Sequence, residues 1–180
     1  MRFIFRKTRI PGLVVVKPEV RRDARGCASE NYKYSEFSKA GIREVFVQEN
    51  RSVSSKGVLR GLHFQRAPHA QAKLVRCGAG RVYDVAVDLR PGSRTFGRSY
   101  GLELTPENGL QLFIPAGFAH GFLALESGSE VLYKCSREYA PDFDAGVRWD
   151  DPDLAVKWPA KRPLLSEKDK GLPLLRDARL

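Results

Sequence analysis

The sequence predicts a mainly β protein, an antiparallel sandwich or barrel with the jelly roll as its leading form, on three observations. Short segments rich in apolar and β-branched residues recur from residue 13 to residue 135. Turn signals built on Gly, Pro and Asn separate them at near-regular spacing, and helical pieces are few.

In chain order, residues 13–16 lie between Pro11-Gly12 and Lys17-Pro18 and read as a strand. Residues 35–40 read as one or two helical turns, with a serine cap in front and Gly41 behind. Strands follow at 45–48, 58–65, 73–76 and 81–88, the last alternating along its length. The series closes with 100–104, 111–114, 121–125 and 130–135. Between these segments stand turn signals such as Gly78-Ala79-Gly80, Pro91-Gly92, Pro106-Glu107-Asn108-Gly109, Pro115-Ala116-Gly117 and Glu126-Ser127-Gly128. Beyond Val147 the strand pattern fades into a Pro- and charge-rich stretch, which reads as a tail wrapping the sheet. That tail holds one capped helix start, Ser166-Glu167-Lys168-Asp169. No repeat, low-complexity tract or linker interrupts the chain. The expectation is one domain over 1–180: N-terminal strands and a short helix to residue 50, a barrel core over 51–147, and a tail over 148–180.

Composition agrees with a folded chain. With 180 residues, 42% hydrophobic and 29% charged, it is long enough to bury a core and too apolar to stay disordered. No apolar run approaches the roughly 20 residues of a membrane helix. The opening Met1-Arg2-Phe3-Ile4-Phe5-Arg6-Lys7 is too short in its apolar part for a signal peptide. A cytoplasmic protein without membrane contact is expected. Cys27, Cys77 and Cys135 form no C-x-x-C pair and no metal-ligand spacing, so they read as buried free thiols. The net charge of +10 favours anionic partners. The basic residues are spread out, however, and no helix-turn-helix, zinc-finger or RNP pattern gathers them, so no nucleic-acid partner is expected.

Chemistry centres on Val58-Leu59-Arg60-Gly61-Leu62-His63-Phe64-Gln65, where a cation, an imidazole and an amide sit in an apolar strand. Polar groups in such a place need partners, either structural ones or a ligand. Metal-binding jelly rolls commonly place two histidines as H-x-H on one strand; here the second position is Gln65, so no metal is expected. No G-x-S-x-G elbow, phosphate-binding glycine loop or cysteine with a local histidine occurs. General acid–base chemistry remains. His63 suits a base near neutral pH, and Tyr133 can donate a proton, although a core tyrosine is the commoner fate. Lys73 alternates with Val75 and either points inward, where its ammonium would stabilise an oxyanion, or lies on an edge.

Together the segments closely resemble the dTDP-4-dehydrorhamnose 3,5-epimerase family. The resemblance is carried by Phe46-Val47-Gln48-Glu49-Asn50-Arg51-Ser52, residues 57–65, Gln71-Ala72-Lys73-Leu74-Val75-Arg76-Cys77 and Asp84-Val85-Ala86-Val87-Asp88-Leu89-Arg90. It continues through residues 114–122, Tyr133-Lys134, Tyr139, Trp149-Asp150-Asp151-Pro152, Trp158-Pro159 and Leu165-Ser166-Glu167-Lys168-Asp169, nearly the whole chain in order. It implies a cupin-type jelly roll (a double-stranded β-helix) that needs neither cofactor nor catalytic metal, usually a homodimer exchanging N-terminal strands. The implied substrate is dTDP-4-dehydro-6-deoxy-D-glucose, inverted at C3 and C5 beside its C4 ketone. The implied roles are His63 as base, oriented by Asp169, Tyr133 as acid on the opposite face, and Lys73 holding O4. Substrate contacts are implied at Arg25, Glu30, Gln48, Asn50, Arg60, His120, Tyr139, Asp144 and Lys168. Two positions depart from the family pattern: Cys27 follows Arg25-Gly26 where an aromatic is common, and Asp144 stands where Glu is usual. They leave room for another nucleotide sugar or for epimerisation at one carbon; a non-catalytic sugar-nucleotide binder on the same scaffold is a separate alternative. Asp169 also has a rival reading, as an acidic residue favoured at a helix start.

Overall fold

The computed structural model describes residues 1–180. Its elements in chain order are β1 (Phe3–Lys7), β2 (Val14–Pro18), β3 (Val20–Asp23), β4 (Gly26–Ser29) and α1 (Tyr34–Lys39). Then come β5 (Gln48–Ser54), β6 (Leu59–Gln65), β7 (Lys73–Ala79), β8 (Val82–Asp88), β9 (Ser99–Leu104) and β10 (Gln111–Ile114). The series ends with β11 (Phe118–Ala124), β12 (Ser129–Cys135), β13 (Asp144–Gly146) and α2 (Glu167–Lys170). Two antiparallel sheets face each other as a jelly roll. One runs β1-β2-β10-β7-β12-β5 and the other β13-β6-β11-β8-β9, while β3 and β4 form a separate hairpin. No helix is long and apolar enough to cross a membrane.

Period-2 alternation sorts each strand between two environments. Val75, Val82, Ala86, Leu112, Phe118, Phe122 and Val131 point between the sheets and form the largest core cluster. Leu62, Phe64, Val85 and Val87 point outward from the five-stranded sheet, where Leu154, Val156, Trp158 and Leu175 of the tail cover them. Val16, Leu74 and Phe113 point outward from the six-stranded sheet under Phe37 of α1, with Tyr32 and Phe46 beside it. Each fully buried side chain of this kind contributes about 1.5–3 kcal/mol. The tail thus wraps the sheet, as its composition predicted.

Several local expectations need correction. Residues 45–47 are not a strand; β5 starts at Gln48 and runs to Ser54. Val45 and Val47 alternate but are 60% and 56% exposed, and pairing stops where β12 stops, at Cys135 opposite Gln48. The rest of β5 escaped notice because its inward positions are polar: Gln48, Asn50 and Ser52. The first helix has no serine cap, since its N-cap is Lys33 and Ser35 lies inside it. Cys77 and Cys135 are buried free thiols, but Cys27 is exposed because every residue of β3 and β4 is exposed. The short strands β1, β3, β4 and β13 lack enough alternation to be seen in sequence.

Glycine is required at one crossing. Gly61 has φ +122°, and a Cβ there would stand 2.6 Å from Cα of Gly121 and 2.7 Å from the His120 carbonyl oxygen. Only bare backbone lets β6 and β11 approach this closely, at the irregularity between His120 and Phe122. The same pairing sets His63 directly across from His120.

Candidate active site

The site lies between the sheets, and each wall delivers its groups by alternation. On β6, Leu62 and Phe64 belong to the outer core, so His63 between them faces inward. On β11, His120 lies between outward Ala119 and Gly121, on the side of Phe118 and Phe122. The opposite wall supplies Lys73, two residues before inward Val75, and Tyr133, two residues after inward Val131. Register places Tyr133 beside Val75 and Cys135 beside Lys73. Lys73 therefore takes the inward course of its two sequence readings, and its Nζ lies 6.0 Å from the Tyr133 ring centroid.

His63, His120, Lys73, Tyr133, Arg60, Lys168 and Asp169 line one cavity of about 290 Å³, together with Ser52, Phe122 and Ser166. A second space of about 470 Å³ shares His63, Lys73, Tyr133, Arg60 and Lys168 and adds Gln48, Asn50, Tyr139 and Asp144. The two form an inner chamber and its mouth.

Asp169 reaches His63 from the tail. Its Oδ1 lies 2.5 Å from Nε2 of the imidazole, and its Oδ2 accepts from the Ser166 hydroxyl at 2.9 Å. The Asp169 amide in turn donates to Ser166 Oγ at 3.1 Å, so the serine cap and the His63 contact are two faces of one turn. Burial alone would push the Asp169 carboxyl up, but hydrogen bonds from His63 and Ser166 outweigh it and hold the group below its usual range. Burial pushes Lys73 down, opposed in part by Cys135, Asp144 and Asp84, and pushes Tyr133 up. A second pair lies deeper: Nε2 of His120 is 2.7 Å from Oδ1 of Asp84.

At the mouth, Tyr139 Oη donates to Asp144 Oδ2 at 2.9 Å, and Lys168 pairs with the same oxygen. Gln48 Oε1 accepts from the Tyr139 amide at 2.8 Å, and its Nε2 donates to Asn50 Oδ1 at 3.0 Å. Arg60 donates to Ser54 Oγ and meets no carboxylate, which leaves its guanidinium available to an anion. Gln65 is committed to the backbone. Its Nε2 donates to the His69 and Glu138 carbonyls, and its Oε1 accepts from the Ala140 amide.

Two residues named by resemblance lie elsewhere. Arg25 sits at the tip of the β3–β4 hairpin, paired with Asp23 at 2.6 Å, and Glu30 pairs with the N-terminal amine at 3.2 Å. Neither lines the cavity of its own chain. Sequence reasoning passed over Ser52, Phe122 and Ser166 as cavity residues, and Asp84 as the partner of His120 behind them. For Asp84 a signal existed: a carboxylate at an inward position of an alternating apolar strand.

Chemically, the chamber sets an imidazole–carboxylate pair on one wall against an ammonium and a phenol on the other. That arrangement can remove a proton from carbon, hold the resulting oxyanion and return a proton from the opposite side.

Comparison with known proteins agrees. The family model described as dTDP-4-dehydrorhamnose 3,5-epimerase matches residues 7–177. The chain is 47% identical over 178 residues to the dTDP-4-dehydrorhamnose 3,5-epimerase of Methanothermobacter thermautotrophicus, covering 97% of this chain and 96% of that one. The crystal structure of the Elizabethkingia anophelis enzyme of the same name superposes with a TM-score of 0.93 at 45% identity, over 97% of each chain. A Legionella pneumophila epimerase in complex with dTDP-4-keto-L-rhamnose gives a TM-score of 0.94 at 42% identity, over 97% of this chain and 94% of that one. With its barrel, its chamber and nearly its whole length accounted for, this chain belongs to the dTDP-4-dehydrorhamnose 3,5-epimerase family.

Proposed function

We propose that the protein inverts C3 and C5 of dTDP-4-dehydro-6-deoxy-D-glucose, giving dTDP-4-dehydro-L-rhamnose for dTDP-L-rhamnose biosynthesis. The observation that carries this reading is the His63–Asp169 pair facing Lys73 and Tyr133 across one chamber. His63 takes the proton from a carbon beside the C4 ketone, and Asp169 balances the imidazolium that forms. The bond pair moves to O4, where the Lys73 ammonium meets the developing charge. Tyr133 then protonates the opposite face of the carbon; burial keeps its phenol in the protonated form that this step needs. His63 ends with an extra proton and Tyr133 without one, and exchange with water resets both before the next inversion. Arg60 and Lys168 supply positive charge for the pyrophosphate, with Gln48, Asn50, Tyr139 and Asp144 at the mouth.

The reading includes a homodimer with exchanged N-terminal strands. The fully exposed β3–β4 hairpin supports it, because Arg25 and Glu30 line neither space of their own chain's chamber. Light scattering tests this, and a monomer at micromolar concentration with full activity rules it out. Buried free thiols fit a reducing compartment, and the reading places the enzyme in the cytoplasm.

The deciding experiment incubates the enzyme with substrate in deuterium oxide. Stable label at both C3 and C5 supports the double inversion. Label at one carbon alone would favour a single-carbon epimerase, and no label would leave a sugar-nucleotide binder.

A further inference from the structure

A fully buried carboxylate lies behind the chamber wall and takes no part in the proposed steps. Asp84 has no exposed surface, and its neighbours on β8 are Val82, Tyr83, Val85 and Ala86. Its Oδ1 meets Nε2 of His120, a ring only 6% exposed, while its Oδ2 has no hydrogen-bond partner. A buried carboxylate short of partners is costly unless positive charge stands beside it. Two groups qualify. His120 touches Asp84, and Lys73 lies within its field, since Asp84 is among the groups that oppose the effect of burial on that lysine. Both also line the chamber.

The contact with Asp84 fixes a proton on Nε2 of His120 and leaves Nδ1 as the nitrogen open to a ligand. In a neutral ring that nitrogen is a bare acceptor; in an imidazolium it is a donor. A ketone oxygen, and still more an enolate oxygen, requires the donor.

We propose that Asp84 is a positioning residue that holds His120 as an imidazolium, so that Nδ1–H joins the Lys73 ammonium in donating to the C4 oxygen. This rests on the epimerase reading above. As His63 removes the C–H proton, the electron pair moves through C4 to its oxygen. That oxygen accepts two hydrogen bonds, from Nζ of Lys73 and Nδ1 of His120, and neither proton is transferred. When Tyr133 protonates the carbon, the pair returns and the ketone re-forms. Other charged or titratable groups face the His120 ring. His63 and Arg60 come from β6, Tyr133 from β12, and Asp169 and Lys168 from the α2 turn. None of these hydrogen-bonds to the ring; Asp84 does.

The test begins with deuterium exchange by the wild type, which establishes the reaction independently of Asp84. Asp84→Asn should lower kcat by about ten- to a hundredfold. KM should stay within about threefold, because the loss falls on the transition state. The alkaline limb of the kcat–pH profile should move to lower pH, while the acid limb stays in place. The double variant Asp84→Asn/His120→Gln should be no slower than His120→Gln alone. Nitrogen-15 spectra of histidine-labelled wild type with dTDP bound should show both His120 ring nitrogens protonated near neutral pH. A bare Nδ1 there overturns the proposal, as does an unchanged alkaline limb in Asp84→Asn or additive losses in the double variant. If Asp84→Asn does not fold, the wild-type spectra decide alone. If the wild type exchanges no proton, the epimerase reading fails, while the spectra still report the His120 ring.

Discussion

The two walls of the chamber handle charge in opposite ways. On the five-stranded sheet, each imidazole touches a buried carboxylate: His63 with Asp169, and His120 with Asp84. On the six-stranded sheet, Lys73 and Tyr133 have no carboxylate in contact, and burial pushes each toward its neutral form. One wall is therefore prepared to carry positive charge on a ring, as a base must once it has taken a proton. The other keeps a phenol protonated and an ammonium hungry for an anion, as a proton donor and an oxyanion holder must be. Inversion needs both, because a proton taken from one face must be replaced from the other.

The harshest way to break that division is His63→Ala, which should reduce deuterium exchange at both carbons by about 10³- to 10⁴-fold while dTDP still binds. Isothermal calorimetry beside the exchange assay checks it, and retained exchange would move the base to another residue. Tyr133→Phe sharpens the contrast. It should cut net inversion by about 10²-fold yet leave exchange of the abstracted proton faster than inversion, since the base wall is intact. Equal losses in exchange and inversion would mean the walls do not divide the labour. Asp169→Asn should cost about 10- to 100-fold in kcat. Ser166→Ala, which removes the cap but keeps the carboxylate, should cost about 1 kcal/mol of tail docking and far less in rate.

The smallest effect is on stability against pH. Asp169 is held below its ordinary value of 3.8, so the docking energy it supplies is complete above that value and is lost as pH falls through its lower folded value. Limited proteolysis should therefore find the tail cut faster in acid before the barrel melts, with no such onset in Asp169→Asn.

Strand alternation made most of the barrel legible, because β6, β7, β8, β10, β11 and β12 bury one or both faces and carry the apolar pattern that burial demands. It failed at β5, where Gln48, Asn50 and Ser52 take the inward positions that apolar residues hold elsewhere. A strand built to face a polar ligand looks like a loop to any reading that expects apolar alternation. For the site, His63 stood out as an imidazole inside an apolar strand, but its nearest partner is 106 positions away, and no local spacing encodes a contact of that kind. The family resemblance supplied Asp169, and the geometry joins it to the capping turn that local pattern had already found. Asp84 was the avoidable omission, since its inward register follows from the alternation of residues 81–88.

The carboxylate that touches His63 belongs to the tail, after every strand of the barrel in chain order. Synthesis therefore makes every strand of the barrel before it delivers the carboxylate that touches His63. His63, Lys73 and Tyr133 all lie on strands that precede α2, and α2 alone brings Asp169 to the imidazole. On the proposed mechanism, full activity waits on the seating of that one short segment.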